Sequence, residues 1–305
     1  MTKDQWNWCC EGDIYMIRML SGKKRPMNPI PIVVGEGHII LMFNTYPESI
    51  SSHGMSKERH IWDTLIKYSN DGGKHWSLAQ PVFILEHFNN RSPYYCAIGP
   101  GHGIKLDSGR LVVTGHTKSP DEMGQLFVIV SDDDGKTWKK GGDIPFAISN
   151  GNAVTGDECQ AVEVAPNSVV INCRTSGSYP RMQCYSSNGC DTFGRSELKP
   201  TLIEPKHGCE GSILGFGAPN SVDQKSWVLF SNPANENARC NLSVRLSTDG
   251  CNTWSKPKTL QSGDSAYSDL IGFTHDCQQK FACLFERLCS KNLYHIDFVI
   301  FTIDT

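Results

Sequence analysis

An eight-residue pattern, Ser-x-Asp-x-Gly-x-Thr-Trp, returns along the chain at nearly even intervals. Its clear copies are Ser131–Trp138 (SDDDGKTW) and Ser247–Trp254 (STDGCNTW). A third is Ser69–Trp76 (SNDGGKHW), and a worn fourth is Ser186–Phe193 (SSNGCDTF), with Asn for Asp, Cys for Gly and Phe for Trp. The starts at 69, 131, 186 and 247 set a period of roughly 55 to 60 residues, which implies one supersecondary unit per copy in a stacked or radial array.

The pattern has a backbone meaning. Short polar side chains such as Ser and Asp bond the main chain two residues on and hold a turn. Gly supplies a positive φ that other residues adopt only at a cost. The closing aromatic begins the next strand and anchors it among apolar neighbours. Between the turns lie short β-branched or aromatic runs, among them 109–114, 126–130, 168–173, 227–230, 240–246 and 298–301, each bounded by Gly, Pro, Asn or Asp. No sustained helical period appears. A unit of this length holds four short strands, the size of a propeller blade. A little over five such units fit into 305 residues.

Bulk properties exclude several classes. The length suits one all-β domain spanning 1–305, with no linker or charge block to divide it. A formal net charge of -3 offers nothing to nucleic acid or an anionic membrane. No run is apolar enough to span a bilayer, and Met1–Trp6 lacks the apolar core of a signal peptide. The 13 cysteines lie scattered in strand-like segments without CxxC pairs, which reads as buried free thiols in a reducing compartment, with disulfides of a secreted protein as the alternative. Asn90-Arg91-Ser92 and Asn241-Leu242-Ser243 fit a glycosylation pattern that means little without a signal peptide. Gly99–Gly103 lacks the Lys-Ser/Thr ending of a phosphate loop, and the histidines have no metal-ligand spacing. No metal and no cofactor are therefore expected.

The repeated turns resemble the Asp boxes of sialidases, six-bladed β-propellers that remove terminal sialic acids from glycans. The resemblance to the animal cytosolic type is carried by Met27-Asn28-Pro29, Gly99–Gly103, Glu158-Cys159-Gln160, Asn172-Cys173-Arg174, Gly208–Ser212, Ala266–Leu270 and Cys283–Glu286, in family order. It implies an all-β fold, a six-bladed β-propeller, and hydrolysis of α-linked sialic acids on oligosaccharides, glycoproteins or gangliosides. Such a substrate bears a carboxylate on its anomeric carbon, which calls for arginine. The same charge repels an Asp or Glu nucleophile, and sialidases use Tyr instead. A neutral phenol needs a base beside it.

By the resemblance, Tyr267 is the nucleophile and Glu158 its base. Arg174 and Arg239 match two of three carboxylate-binding arginines, and Glu286 matches the acid that orients the remaining arginine. Taken singly, each has a structural alternative: strand-end surface arginines, a core tyrosine, solvated carboxylates. Glu210 stands where the family motif more often has Gln. The family's Arg-Ile-Pro motif and the general-acid Asp that follows it cannot be placed; Asp13 and Arg18 lie in the wrong contexts. The resemblance thus implies an N-terminally truncated propeller of about five blades, the first largely missing. It leaves open a non-catalytic sialic-acid-binding propeller or an interaction scaffold. Residence is expected in the cytoplasm, with lysosomal or membrane-associated placement as alternatives.

Overall fold

A computed structural model of the chain describes residues 24–47, 63–82, 95–118, 124–175, 178–217, 227–290 and 293–303. Asp13, Arg18 and the Asn90-Arg91-Ser92 triplet lie outside the described residues. Strands and turns make up the described chain, which contains no helix and hence none that could cross a membrane.

Among the described residues, five antiparallel sheets of three to five strands follow one another along the sequence. The first holds β1 (Lys24–Gly35), β2 (His38–Pro47), β3 (Asp63–Ser69) and β4 (Gln80–Val82). The second holds β5 (Tyr95–Ile98), β6 (Ile104–Lys105), β7 (Leu111–Lys118), β8 (Gln125–Ser131) and β9 (Lys139–Lys140), with β5 and β6 both paired to β7. A two-stranded hairpin, β10 (Ala147–Ser149) and β11 (Asn152–Val154), precedes the third sheet. That sheet is β12 (Cys159–Ala165), β13 (Ser168–Cys173), β14 (Met182–Ser186) and β15 (Arg195–Leu198). The fourth is β16 (Ser212–Phe216), β17 (Trp227–Pro233), β18 (Cys240–Ser247) and β19 (Lys258–Asp264). The fifth is β20 (Ser268–His275), β21 (Gln278–Ser290) and β22 (Leu293–Phe301).

Strand alternation explains how the sheets stack. Successive side chains of a strand point to opposite faces, and here both faces of a sheet are apolar. Leu111, Val113, Phe127 and Ile129 pack with Ile30, Ile32, Ile40 and Met42 of the first sheet. Their neighbours Val112, Val128 and Val130 pack with Cys159, Ala161 and Ile171 of the third. Val162, Val170, Ile213 and Phe230 then join the third sheet to the fourth, and Leu229, Leu242, Leu270 and Phe281 join the fourth to the fifth. Contacts between consecutive sheets run mainly through their inner strands: β1 with β5, β6 and β7, β12 with β7 and β6, β12 with β16, and β16 with β20. Sheets packed serially, innermost strand beside innermost strand, are the blades of a β-propeller. On the fifth blade Ile271, Leu284, Ile296, Phe298 and Ile300 remain exposed.

The four repeated turns join the third and fourth strands of the first four blades and share one set of hydrogen bonds. In the second blade Gly135 N donates to Ser131 Oγ at 2.8 Å, and Ser131 Oγ donates to Asp133 Oδ1 at 2.8 Å. Asp133 also accepts from Thr137 N at 2.9 Å and Thr137 Oγ1 at 2.6 Å. The worn copy is built alike, with Asn188 Oδ1 accepting from Ser186 Oγ at 3.1 Å and Thr192 N at 3.0 Å. Asn supplies the same acceptor as Asp, so the fold tolerates the exchange. At the Gly position, Cys190 and Cys251 take φ of 73° and 70°. Both thiols are completely buried between blades, where a glycine would leave space. The cysteines whose side chains are described, from Cys96 to Cys283, are free, and all of them but Cys240 and Cys277 are buried.

The innermost strands meet in a buried polar hub. Gln160, Ser212 and Asp269 open β12, β16 and β20. Gln160 Nε2 lies 3.2 Å from Asp269 Oδ1 and 3.2 Å from Glu210 Oε1. Ser212 Oγ is 2.9 Å from Gln160 Oε1 and 3.0 Å from Asp269 Oδ1. His102 Nδ1 approaches Asp269 at 2.7 Å from the second blade. Gly101 is obligatory beside them, because a Cβ there would fall 1.5 Å from Gln160 Nε2. Glu210 accepts from Ser268 N at 3.0 Å and is only 2% exposed. Burial drives its pKa well above the ordinary 4.5, assisted by the charges of Asp269 and Glu158 and opposed by the Ser268 N–H.

Two expectations follow for stability. Gly72 and Gly135 both have positive φ, but a Cβ meets nothing within 4 Å at Gly72, whereas at Gly135 it meets Ile40 Cδ1 at 2.2 Å. Gly72→Ala should cost about 1–2 kcal/mol from the backbone alone, and Gly135→Ala about 1–3 kcal/mol beyond that from overpacking. Denaturant midpoints of the two variants would test the order. The raised Glu210 pKa makes the group's contribution complete below its unfolded value and lost as pH rises toward the folded one. Glu210→Gln, which cannot ionise, should therefore flatten the decline of stability above pH 4.5. An unchanged slope in urea titrations across pH would refute this.

Candidate active site

Two residues that immediately precede innermost strands reach the same end of the ring: Glu158 before β12 and Tyr267 before β20. Each is fixed by a ladder that continues one step past its strand pair. Arg174 N donates to Glu158 O at 2.8 Å, extending the β12–β13 register of Cys159 with Cys173. Glu286 N donates to Tyr267 O at 2.9 Å, extending the β20–β21 register of Ser268 with Phe285. Glu158 is thereby set beside Arg174 within the third blade, and Tyr267 beside Glu286 within the fifth.

Across the ring these pairs touch. Tyr267 Oη donates a short hydrogen bond to Glu158 Oε1. Arg174 Nη1 donates to Glu158 Oε2 at 2.5 Å and to Tyr267 Oη at 3.1 Å, while its Nη2 donates to His207 O at 2.8 Å. Arg239 enters from the start of β18, its guanidinium 5.5 Å from the centroid of the Tyr267 ring. Its Nε and Nη2 donate to Gly208 O at 3.1 and 2.8 Å. Glu286 Oε2 lies 3.4 Å from Tyr267 N. All five residues expected from the sequence therefore fall in one cluster.

Electrostatics separates their states. Burial raises the Tyr267 pKa, Glu158 raises it further, and Arg174 offsets part of this, so the phenol keeps its proton at neutral pH. Burial is the largest influence on Arg174 and disfavours its charge, but Glu158 and Tyr267 together outweigh it and raise its pKa. The Glu286 pKa is raised by burial, against the Tyr267 N–H and the Arg239 charge. A neutral phenol hydrogen-bonded to a carboxylate, under two guanidinium groups, can pass its proton to that carboxylate and attack an electrophile held by the cations. No group of three or more His, Cys, Asp or Glu among the described residues could hold a metal ion.

Sequence reasoning did not single out Gln160 and Asp269, although both lie inside the quoted Glu-Cys-Gln and Ala-Tyr-Ser-Asp-Leu motifs. Their signal is the two-residue strand period: each follows its site residue by two, so Glu158 and Tyr267 meet in one layer, and Gln160 and Asp269 in the layer beneath. Arg181 and Glu204 form a fully buried ion pair bonded to Thr175 and Cys209, and nothing in their sequence context marks them. Glu210, flagged as a departure, lies in the hub under the cluster.

Comparison with known proteins agrees with this geometry. A BNR repeat-like domain matches residues 18–276. Mouse Sialidase-2 is 31% identical over 300 residues, covering 92% of this chain and 76% of its own length. Mouse Sialidase-3 is 32% identical over 255 residues, covering 68% of this chain and 58% of its own. Among solved structures, the Hadza microbial sialidase Hz136 superposes with a TM-score of 0.72 at 25% identity, over 87% of this chain. This chain spans about half of that protein's length, at 51%. Trypanosoma rangeli sialidase in complex with the inhibitor DANA has a TM-score of 0.69 at 19% identity, covering 93% of this chain and 46% of its own, a likeness of fold. A bladed all-β ring with this extent of similarity to mouse Sialidase-2 leaves one conclusion, that the chain belongs to the sialidase family.

Proposed function

We propose that the protein is an exo-α-sialidase, a glycoside hydrolase acting on terminal α-linked sialic acids of oligosaccharides, glycoproteins or gangliosides. The observation that carries this reading is the Tyr267 phenol hydrogen-bonded to the Glu158 carboxylate, with Arg174 on both. Glu158 accepts the phenolic proton as Tyr267 Oη bonds to the anomeric carbon. The bond to the aglycone oxygen breaks, leaving a glycosyl-tyrosine that water then hydrolyses with net retention. Arg174 and Arg239 grip the substrate carboxylate, which also screens the nucleophile from that charge. Glu286, beside Tyr267 and within the field of Arg239, is the acid that orients the third carboxylate-binding arginine, which is not among the residues assigned here. The leaving oxygen departs as its anion and takes its proton from solvent water, so activated aryl leaving groups are favoured. The repeated turns serve as the family's Asp boxes and act as scaffold. The exposed apolar face of the fifth blade supports a ring of six.

Tyr267→Phe keeps the ring and removes the nucleophilic oxygen. Release of fluorophore from an activated aryl sialoside should fall by at least about 10³-fold, while calorimetric binding of sialic acid changes little. Equal turnover by the variant would sink the nucleophile assignment. Arg174→Ala should weaken sialic acid binding by about 10-fold or more, as expected for loss of a charge-assisted contact. Binding without turnover by the parent protein would favour the non-catalytic reading, and absence of both would favour a scaffold.

A further inference from the structure

Arg174 and Arg239 belong to different blades, yet they are aimed by consecutive carbonyls of a single loop. His207 O accepts from Arg174 and Gly208 O accepts twice from Arg239. To present both carbonyls, the loop puts two successive residues in the left-handed region, His207 at φ 68° and Gly208 at φ 71°. Such backbone is retained only where the surroundings over-determine it. A Cβ on Gly208 would stand 2.6 Å from Arg174 Nε and 2.3 Å from Thr175 O, so the loop lies directly against the arginine that it aims.

The surroundings that hold this loop are a fully buried ion pair. The side chains of Arg181 and Glu204 have no solvent exposure and meet at 3.3 Å. Glu204 Oε1 accepts from Cys209 N at 2.7 Å, and its Oε2 from Thr175 N at 3.3 Å. Arg181 Nη1 donates to Cys209 O at 2.7 Å, and its Nε to Asn172 Oδ1 at 2.7 Å. The guanidinium also sits 5.1 Å from the Phe230 ring centroid. Both main-chain groups of Cys209, the residue that ends the loop, are thus clamped by the pair. Thr175, which follows Arg174, is clamped by the same carboxylate. A buried ion pair is a poor source of stability, since apolar replacement of similar volume often costs nothing. Its directional bonds to Cys209 and Thr175 are what an apolar pair could not reproduce.

We propose that Arg181 and Glu204 are positioning residues that set the spacing and aim of the Arg174–Arg239 grip on an anionic ligand, by holding the Pro205–Gly208 loop. The inference rests on the reading of those two arginines as carboxylate binders.

Calorimetry with sialic acid and with its methyl ester, on the full chain, separates the cases, because the ester lacks the charge the arginines grip. The parent protein should bind the acid more tightly than the ester. In Glu204→Gln this preference should shrink by about 10-fold, with ester affinity unchanged. The double variant R181M/E204L removes both charges together, so that neither is left buried without its partner; it should still unfold in one cooperative thermal transition while losing the preference. Gly208→Ala leaves the pair intact and should lose it too, by displacing Arg174. Retention of the full preference by a folded R181M/E204L would overturn the proposal, as would equal weakening of acid and ester. Lack of preference in the parent protein would instead overturn the carboxylate-binding reading, and this proposal with it.

Discussion

The hydrogen bond between Tyr267 and Glu158 is the constraint around which the centre of the molecule is organised. It joins the third blade to the fifth, past the fourth, and it can form only if the intervening blade has the right thickness and tilt. That thickness is set by the apolar layers on each side of the fourth sheet, Val162 and Val170 with Phe230 on one side and Leu229 with Phe281 on the other. Packed interiors deform little, so the layers act as spacers. The distance between the Tyr267 phenol and the Glu158 carboxylate is thereby a property of the hydrophobic core.

Beneath that contact the hub repeats it with different chemistry. Gln160 faces Asp269 as Glu158 faces Tyr267, two residues further along each strand. In the lower layer Gln160, Glu210 and Ser212 are buried, while Asp269 and His102 are half-buried and bonded to one another. In a low-dielectric setting such a network is favourable only if its members are satisfied. Ser212 and the main-chain N–H groups of Ile213, Ser268 and Leu270 supply the remaining partners. The hub thus holds three inner strands in register directly below the Tyr267–Glu158 contact.

Much of this was legible beforehand. The spacing of the Ser-x-Asp-x-Gly turns announced the blades, because a turn that needs both a side-chain acceptor and positive φ leaves a strong local signature. Asn188 and Cys190 in the worn copy show how far it can drift: each replacement preserves the acceptor or the backbone angle. Tyr267, Glu158, Arg174, Arg239 and Glu286 were legible through the motifs around them, and their roles came from resemblance. Arg181 and Glu204 were not legible. They stand 23 residues apart, and an Arg or a Glu in a polar stretch ordinarily reads as solvated surface.

By itself the sequence determined the class of fold and the approximate number of blades, since both are written in local patterns of turn chemistry and strand alternation, while the candidate site residues came from resemblance to a known family. Only the tertiary structure decided which of those residues touch, that the two arginines hang from one loop, and that Glu210 lies buried with a raised pKa. The physical reason is range. Turn and strand preferences act over a few neighbours, whereas a hydrogen bond between residues 158 and 267 exists only after every blade between them has packed.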